Sequence, residues 1–333
     1  MRITLLFFII LSSLVLSQIQ PYEFYCYIKD TKIEVQVNYD SSKGIYSYIY
    51  SVYSGTKNTG WIDAIQIDIS TKTKHNPKDL DLFDNCRRLS SPISGLNIDY
   101  YKRFSEFAIP VGLSTPYSEI TCGSSKITDE YGNDIGAYAG LGIPFFLEAG
   151  DSVSGLTIQA KFPPGIRDFR IIPDFGRCYK HIPKTEEYWD IGVEGGFTRP
   201  KGFGKDEDWY FRGKTIGPID PVDYQFYNGG GQKPDDVNLF LKYANPQGRE
   251  TKLKNGESFD LIIYYGDTTI PSTFKAELNG QDITSKFHPV KGVAEVVKFT
   301  FPLGRNTLVL SIDGKNQKGN TATDTDRLVF VVE

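Results

Sequence analysis

Histidine, methionine and dense blocks of one charge are scarce in this chain, and each scarcity removes a class of function. Three residues of 333 are histidine and one is methionine. The histidines, His75, His181 and His288, stand far apart, which leaves few bases for nucleophilic catalysis. Lys and Arg number 37 against 41 Asp and Glu, for a formal net charge of -4, and they form no dense run. Nucleic-acid binding normally shows a basic stripe, so no nucleic-acid partner is expected. The four cysteines, Cys26, Cys86, Cys122 and Cys178, are widely spaced without a C-x-x-C pair, which argues against a zinc cluster.

Long apolar runs are also missing, with one exception. In MRITLLFFIILSSLVLSQIQ, Arg2 precedes an apolar run from Leu5 to Leu16 and small residues follow. The run is shorter than the roughly 20 residues needed to span a bilayer core. Its layout is that of a secretory signal peptide over residues 1–17, with cleavage after Ser17. No apolar tail follows RLVFVV, so neither a C-terminal anchor nor an integral span in the mature chain is expected. The protein is expected to be secreted or cell-surface associated. In an exported chain, four cysteines suggest two disulfides, and three pairings remain open.

What the sequence has in abundance is Tyr, Phe, Gly and Pro, the composition of strands and turns. In KIEVQVNY, Ile33, Val35, Val37 and Tyr39 alternate with Glu34, Gln36 and Asn38. IYSYIYSVY, AIQIDIS and GLTIQAKF repeat this period of two, which marks half-buried antiparallel strands. No window sustains a helical period. The expected fold is all-β: an N-terminal sandwich over residues 18–180, a Gly/Pro-rich connecting segment over 181–237, and a second sandwich over 238–333. Trp189 and Trp209 lie inside the connecting segment. Rings of that size are rarely left in water, so the segment is expected to drape over the first domain.

The last hundred residues restart the β pattern, with NLFLKY, SFDLIIYY, TFKAELNG, VVKFTFPLG, NTLVLSIDG and RLVFVV at near-regular intervals. This spacing describes a seven-stranded sandwich of immunoglobulin type. Its core set is Phe274, Ala276 and Leu278, then Val297, Phe299 and Phe301, then Leu308, Leu310 and Ile312, then Leu328, Phe330 and Val332. Leu278-Asn279-Gly280, the stretch Gly304 to Leu308 and the turn from Asp313 through Thr323 resemble the bacterial immunoglobulin-like modules of exported, multi-module surface proteins. That resemblance covers about residues 238 to 333. It implies the fold, and it is nearly silent on function, because such modules serve as spacers, adhesins and accessory domains alike. The first domain, with PGIRDF and the later GKTIGP, is similar to uncharacterised exported bacterial β proteins, and the similarity supplies no catalytic residue.

Four groups of residues carry side chains suited to chemistry or binding. Gly150-Asp151-Ser152 has the look of a serine-hydrolase nucleophile, but Val153 and Ser154 stand where glycines would be needed, so it reads as a turn. Asp206, Glu207 and Asp208 are adjacent carboxylates without glycosidase geometry. Asp313, Asp324 and Asp326 offer hard oxygen ligands that could hold calcium, against the plainer reading of a hydrophilic turn. Tyr46, Tyr48 and Tyr50 share one face of a strand. With Trp189 and Trp209 they could stack on sugar rings, or could be covered by the chain itself. The resulting expectation is a non-enzymatic structural or adhesive protein with an extracellular protein or glycan ligand. The alternative is a secreted carbohydrate-binding or carbohydrate-active protein.

Overall fold

The computed structural model describes residues 26–68, 122–128, 134–179, 182–219, 224–233 and 239–333. The signal-peptide reading, His75, His181 and Cys86 fall outside the described residues, as does the side chain of Cys122. The protein is nearly all-β, as the sequence pattern implies.

The first unit begins with β1 (Thr31–Asp40), β2 (Ile45–Ser54) and β3 (Ile62–Asp68). It continues with β4 (Cys122–Thr128), β5 (Asp134–Leu147), β6 (Ser152–Ala160), β7 (Pro164–Pro173) and the single helical turn α1 (Phe175–Cys178). A short hairpin of β8 (Trp189–Ile191) and β9 (Phe197–Pro200) leads to β10 (Phe211–Pro218). Two sheets result, β1-β2-β6 and β10-β7-β3-β5-β4. Alternation drives their closure. Tyr46, Tyr48, Tyr50 and Val52 of β2 point inward with Val153, Leu156 and Ile158 of β6. They meet Ile62, Ile65 and Ile67 of β3 and Phe169 and Ile171 of β7. Ile33, Val35, Val37 and Tyr39 close the β1 edge, half-buried.

The segment expected to connect the domains and drape over the first also supplies that domain with a strand. Residues 211–218 pair antiparallel with β7, from Phe211 opposite Ile171 to Pro218 opposite Pro164. Ile216 is buried in the first core and Tyr224 packs against it. The sequence hid this strand because glycine, proline and charge surround it, and those residues punctuate turns wherever they occur.

The second unit comprises β11 (Leu241–Asn245), β12 (Glu250–Leu253), β13 (Ser258–Tyr265), β14 (Thr269–Leu278), β15 (Gln281–Asp282), β16 (Ala294–Thr300), β17 (Gly304–Lys315) and β18 (Thr321–Val332). Its sheets are β11-β13-β16 and β12-β18-β17-β14-β15. After β11 the chain crosses to the other sheet, where β12 runs parallel to β18, from Glu250 opposite Val329 to Leu253 opposite Val332. Eight strands therefore stand where seven were expected, the extra one being the two-residue β15. The Leu278-Asn279-Gly280 turn forms as its sequence demands. Asn279 takes a φ of 52°, and its side chain bonds Asn306 and the Thr307 N–H. Every member of the expected core set is buried except Leu278, which is half-buried against it.

The two units share apolar packing. Ala244, Ile262 and Val293 of the second lie in the first unit's core cluster. Tyr46 Oη accepts a hydrogen bond from Ala294 N at 3.1 Å, and burial pushes its phenol up to about 12. Tyr46→Phe leaves that buried N–H without a partner, a loss of about 1–3 kcal/mol. We expect calorimetry of this variant to separate the unfolding of the two units further than in the parent chain.

Candidate functional site

Ser152 opens β6, opposite Tyr53. Gly150 adopts a φ of 89°, the left-handed region that glycine tolerates. The Asp151 carboxylate accepts from Glu148 N, and Ser54 N donates to Asp151 O. These bonds close a turn, and the serine hydroxyl belongs to a strand start. In the other unit the His288 backbone N–H donates to the Glu295 carboxylate.

The tyrosine row points into the sandwich. Tyr48 and Tyr50 have no exposed surface, and Tyr46 keeps 4 %. Their hydroxyls serve the fold: Tyr48 donates to Phe162 O at 2.7 Å and Tyr50 to Ile216 O at 2.9 Å. A sugar ring cannot stack on them. The row faces inward because Ile33, Val35 and Val37 on the paired strand share its face, and a face this apolar seeks the core.

The tryptophans form a separate aromatic cluster at the end of the first unit. Trp189 is buried, donates to Pro183 O at 2.8 Å and meets Tyr179 edge-on at 5.4 Å. Trp209 stacks on Phe203 at 4.8 Å and donates to Phe203 O. Phe175 and Tyr179, on and just after α1, pack on Phe203. The same turn carries Cys178, whose disulfide to Cys26 fastens the cluster to the start of β1. Of the three open pairings, the bridge belongs to the one that joins Cys26 to Cys178.

The three aspartates do not converge. Asp313 lies on β17 and accepts from Thr323 Oγ1 at 2.6 Å. Asp324 and Asp326 on β18 are fully buried, and Lys233 bonds both. The Lys233 ammonium lies against both of these buried carboxylates. Among the described residues no group of three His, Cys, Asp or Glu side chains is placed to hold a metal ion.

A groove of about 310 Å³ lies between the units, and sequence reasoning missed it. Its walls come from β1, β7, β10, β11, β13 and β16, so its parts lie some two hundred residues apart in the chain. Lys32, Glu34, Lys214, Glu257, Asp260 and Lys298 supply its charge. The Lys32 ammonium beside Glu34, at 2.7 Å, holds that carboxyl below its usual range. Burial pushes the Asp260 carboxyl up, with Lys298 opposing and Glu34 reinforcing. Asp260 Oδ1 is buried without a hydrogen-bond partner. The groove offers acceptors and ammonium groups to a small polar ligand, and it assembles no nucleophile with a base.

Asp260 should leave a pH signature. Its folded value lies above the ordinary 3.8, so between the two the folded chain holds a proton that the unfolded chain has lost. Its contribution is therefore most favourable below 3.8 and declines as pH rises through the folded value. Asp260→Asn is expected to flatten that decline, measured as urea stability across pH 3.5 to 7.

Among the described residues no helix is long and apolar enough to cross a membrane. No family model matches the chain, and no curated protein matches it. The chain is similar at 10% identity to a crystal structure of the major pilin subunit of Bacillus cereus, covering 91% of this chain and 69% of that one. The TM-score is 0.21, too low for that likeness to carry an argument about fold or role.

Proposed function

We propose that this is an exported, non-catalytic structural or adhesive protein of the cell surface or extracellular space. The observation that carries the reading is the joint between the sandwiches. Ala244, Ile262 and Val293 extend the first core into the second unit, and the Tyr46–Ala294 hydrogen bond crosses the same boundary. Domains joined for independent motion usually meet through smaller, more polar contacts. A continuous apolar joint suits a part that must hold its shape under load.

The disulfide supports the address, because such bonds persist in oxidising compartments outside the cytoplasm. The carbohydrate-binding alternative loses the surface it relied on, since Tyr46, Tyr48, Tyr50 and Trp189 are buried. The test is a pull-down of surface proteins and a glycan array, both run with the mature chain. We expect a protein ligand or self-association. Saturable binding of one glycan class, abolished by substitutions in the interdomain groove, would replace this reading with the carbohydrate one.

A further inference from the structure

The feature that the proposed function leaves unused is the buried group around Lys233. The inward row of β18 reads Val332, Phe330 and Leu328, and its continuation places Asp326 and Asp324 on the same buried face. Over them lies the glycine-rich stretch 228–232. A Cβ on Gly229 would lie 2.0 Å from Asp326 Cγ, and one on Gly231 would lie 1.9 Å from Thr325 O, so only glycine permits this approach. Thr325 N donates to Gln232 O at 3.0 Å, which pins the next residue, Lys233, over the two acids.

The contacts divide the acids into two roles. Asp324 Oδ2 accepts from Phe240 N and Leu241 N, each at 3.0 Å, and its Oδ1 accepts from Lys233 Nζ at 3.2 Å. All three donors fix its orientation. Asp326 Oδ1 also accepts from Nζ, but its Oδ2 is buried without a well-formed hydrogen bond. The Tyr243 hydroxyl is likewise buried and unpaired by geometry. Burial raises this phenol first and the charge of Asp326 beside it second, which places the two groups together.

The geometry points to an intramolecular amide between Lys233 Nζ and Asp326 Cγ, formed by the folded protein itself. Asp324 takes a proton from the ammonium, and the freed lone pair forms the new N–C bond at Asp326 Cγ. Tyr243 donates to Oδ2 as negative charge collects there. One carboxyl C–O bond then breaks, and that oxygen leaves as water with two protons that began on the ammonium. Ammonium and carboxylate become a neutral amide and one water, so no oxidant or other co-reactant is required. Holding amine and carboxyl in contact supplies the proximity that makes such a step fast, and the partial exposure of Lys233 beside the fully buried carboxylates leaves the released water a way out. Burial and the neighbouring Asp324 push the Asp326 carboxyl up to about 6, which keeps its neutral acid form accessible near physiological pH. The product also removes an unfavourable feature, two buried charges of the same sign beside a single cation.

The inference does not rest on the proposed function, and its test is separate. The folded full chain is purified, its disulfides are reduced and alkylated, and its mass is compared with that of Lys233→Arg prepared identically. The parent chain should be lighter than its sequence by one water, and the variant should match its sequence. Tandem mass spectrometry of a proteolytic digest should find a peptide carrying Lys233 joined to one carrying Asp326. Asp326→Ala should lose the joined peptide. A parent chain yielding Lys233 and Asp326 on separate, unmodified peptides would overturn the proposal, as would a join to Asp324. Because the decisive sample is the unaltered protein, misfolding of a variant cannot rescue or sink the result.

Discussion

Reducing the Cys26–Cys178 bridge is expected to destabilise the first sandwich by roughly 3 kcal/mol and to lower its melting temperature by about 10 °C. The bridge joins residues 152 apart in sequence, so it removes a large loop from the unfolded ensemble. Chain-entropy arguments give about 4.7 kcal/mol for a loop of ~100 residues, and native bridges commonly realise 2–4. Its position adds a local consequence. Cys178 ends α1, and the rings of Phe175, Tyr179, Phe203 and Trp209 are stacked around that turn. Without the bridge this cluster is held to β1 by packing alone. We therefore expect tryptophan fluorescence, which reports on Trp61, Trp189 and Trp209, all in the first unit or its aromatic cluster, to change at a lower temperature than the second unit's transition. Calorimetry with and without reductant, on the parent chain and on Cys178→Ser, measures both effects. The second unit contains no cysteine and should keep its own transition.

Asp324→Ala should cost about 3–5 kcal/mol, the range found when one partner of a buried ionic network is removed. The substitution strands two backbone N–H groups, those of Phe240 and Leu241, at the start of β11, and it takes one acceptor from Lys233. Asp313→Ala is the control. The Asp313 carboxylate accepts from the exposed Thr323 Oγ1, while its N–H bond to Thr273 Oγ1 survives in alanine, so its loss should stay within about 0.5 kcal/mol. If calcium were bound by these aspartates, both variants would abolish a calcium-dependent rise in melting temperature. We expect no such rise in the parent chain. Urea titration of the three proteins, with calcium or a chelator, separates the outcomes.

The aspartates also show what was legible before the fold was known. Alternation alone marks Leu328, Phe330 and Val332 as an inward row. Extending that row by two steps of two residues reaches Asp326 and Asp324. Their burial was therefore written in the sequence, but acidic side chains at core positions read first as an exposed turn. Lys233 carried no signal. It sits in a stretch of glycine and proline, and only the approach of Gly229 and Gly231 to β18 shows why that stretch is so bare. The tyrosine row was likewise visible as a row, whereas the choice between an outer face and the core was not.

Alternation by itself determined the fold class, strands β1, β2, β3 and β6 of the first unit and the composition of the second core. A strand's side chains take opposite faces whatever it packs against, so the period of two is a local property of the backbone. The turn at Leu278-Asn279-Gly280 was equally local, because it depends on positive φ at two consecutive residues, Asn279 and Gly280. Tertiary structure alone decided the rest. It chose the Cys26–Cys178 pairing, recruited residues 211–218 into the first sheet, formed the interdomain groove and brought Lys233 to Asp324 and Asp326. Each of these joins groups far apart along the chain, and no local pattern specifies which distant partner a buried charge, a thiol or an open strand edge will find.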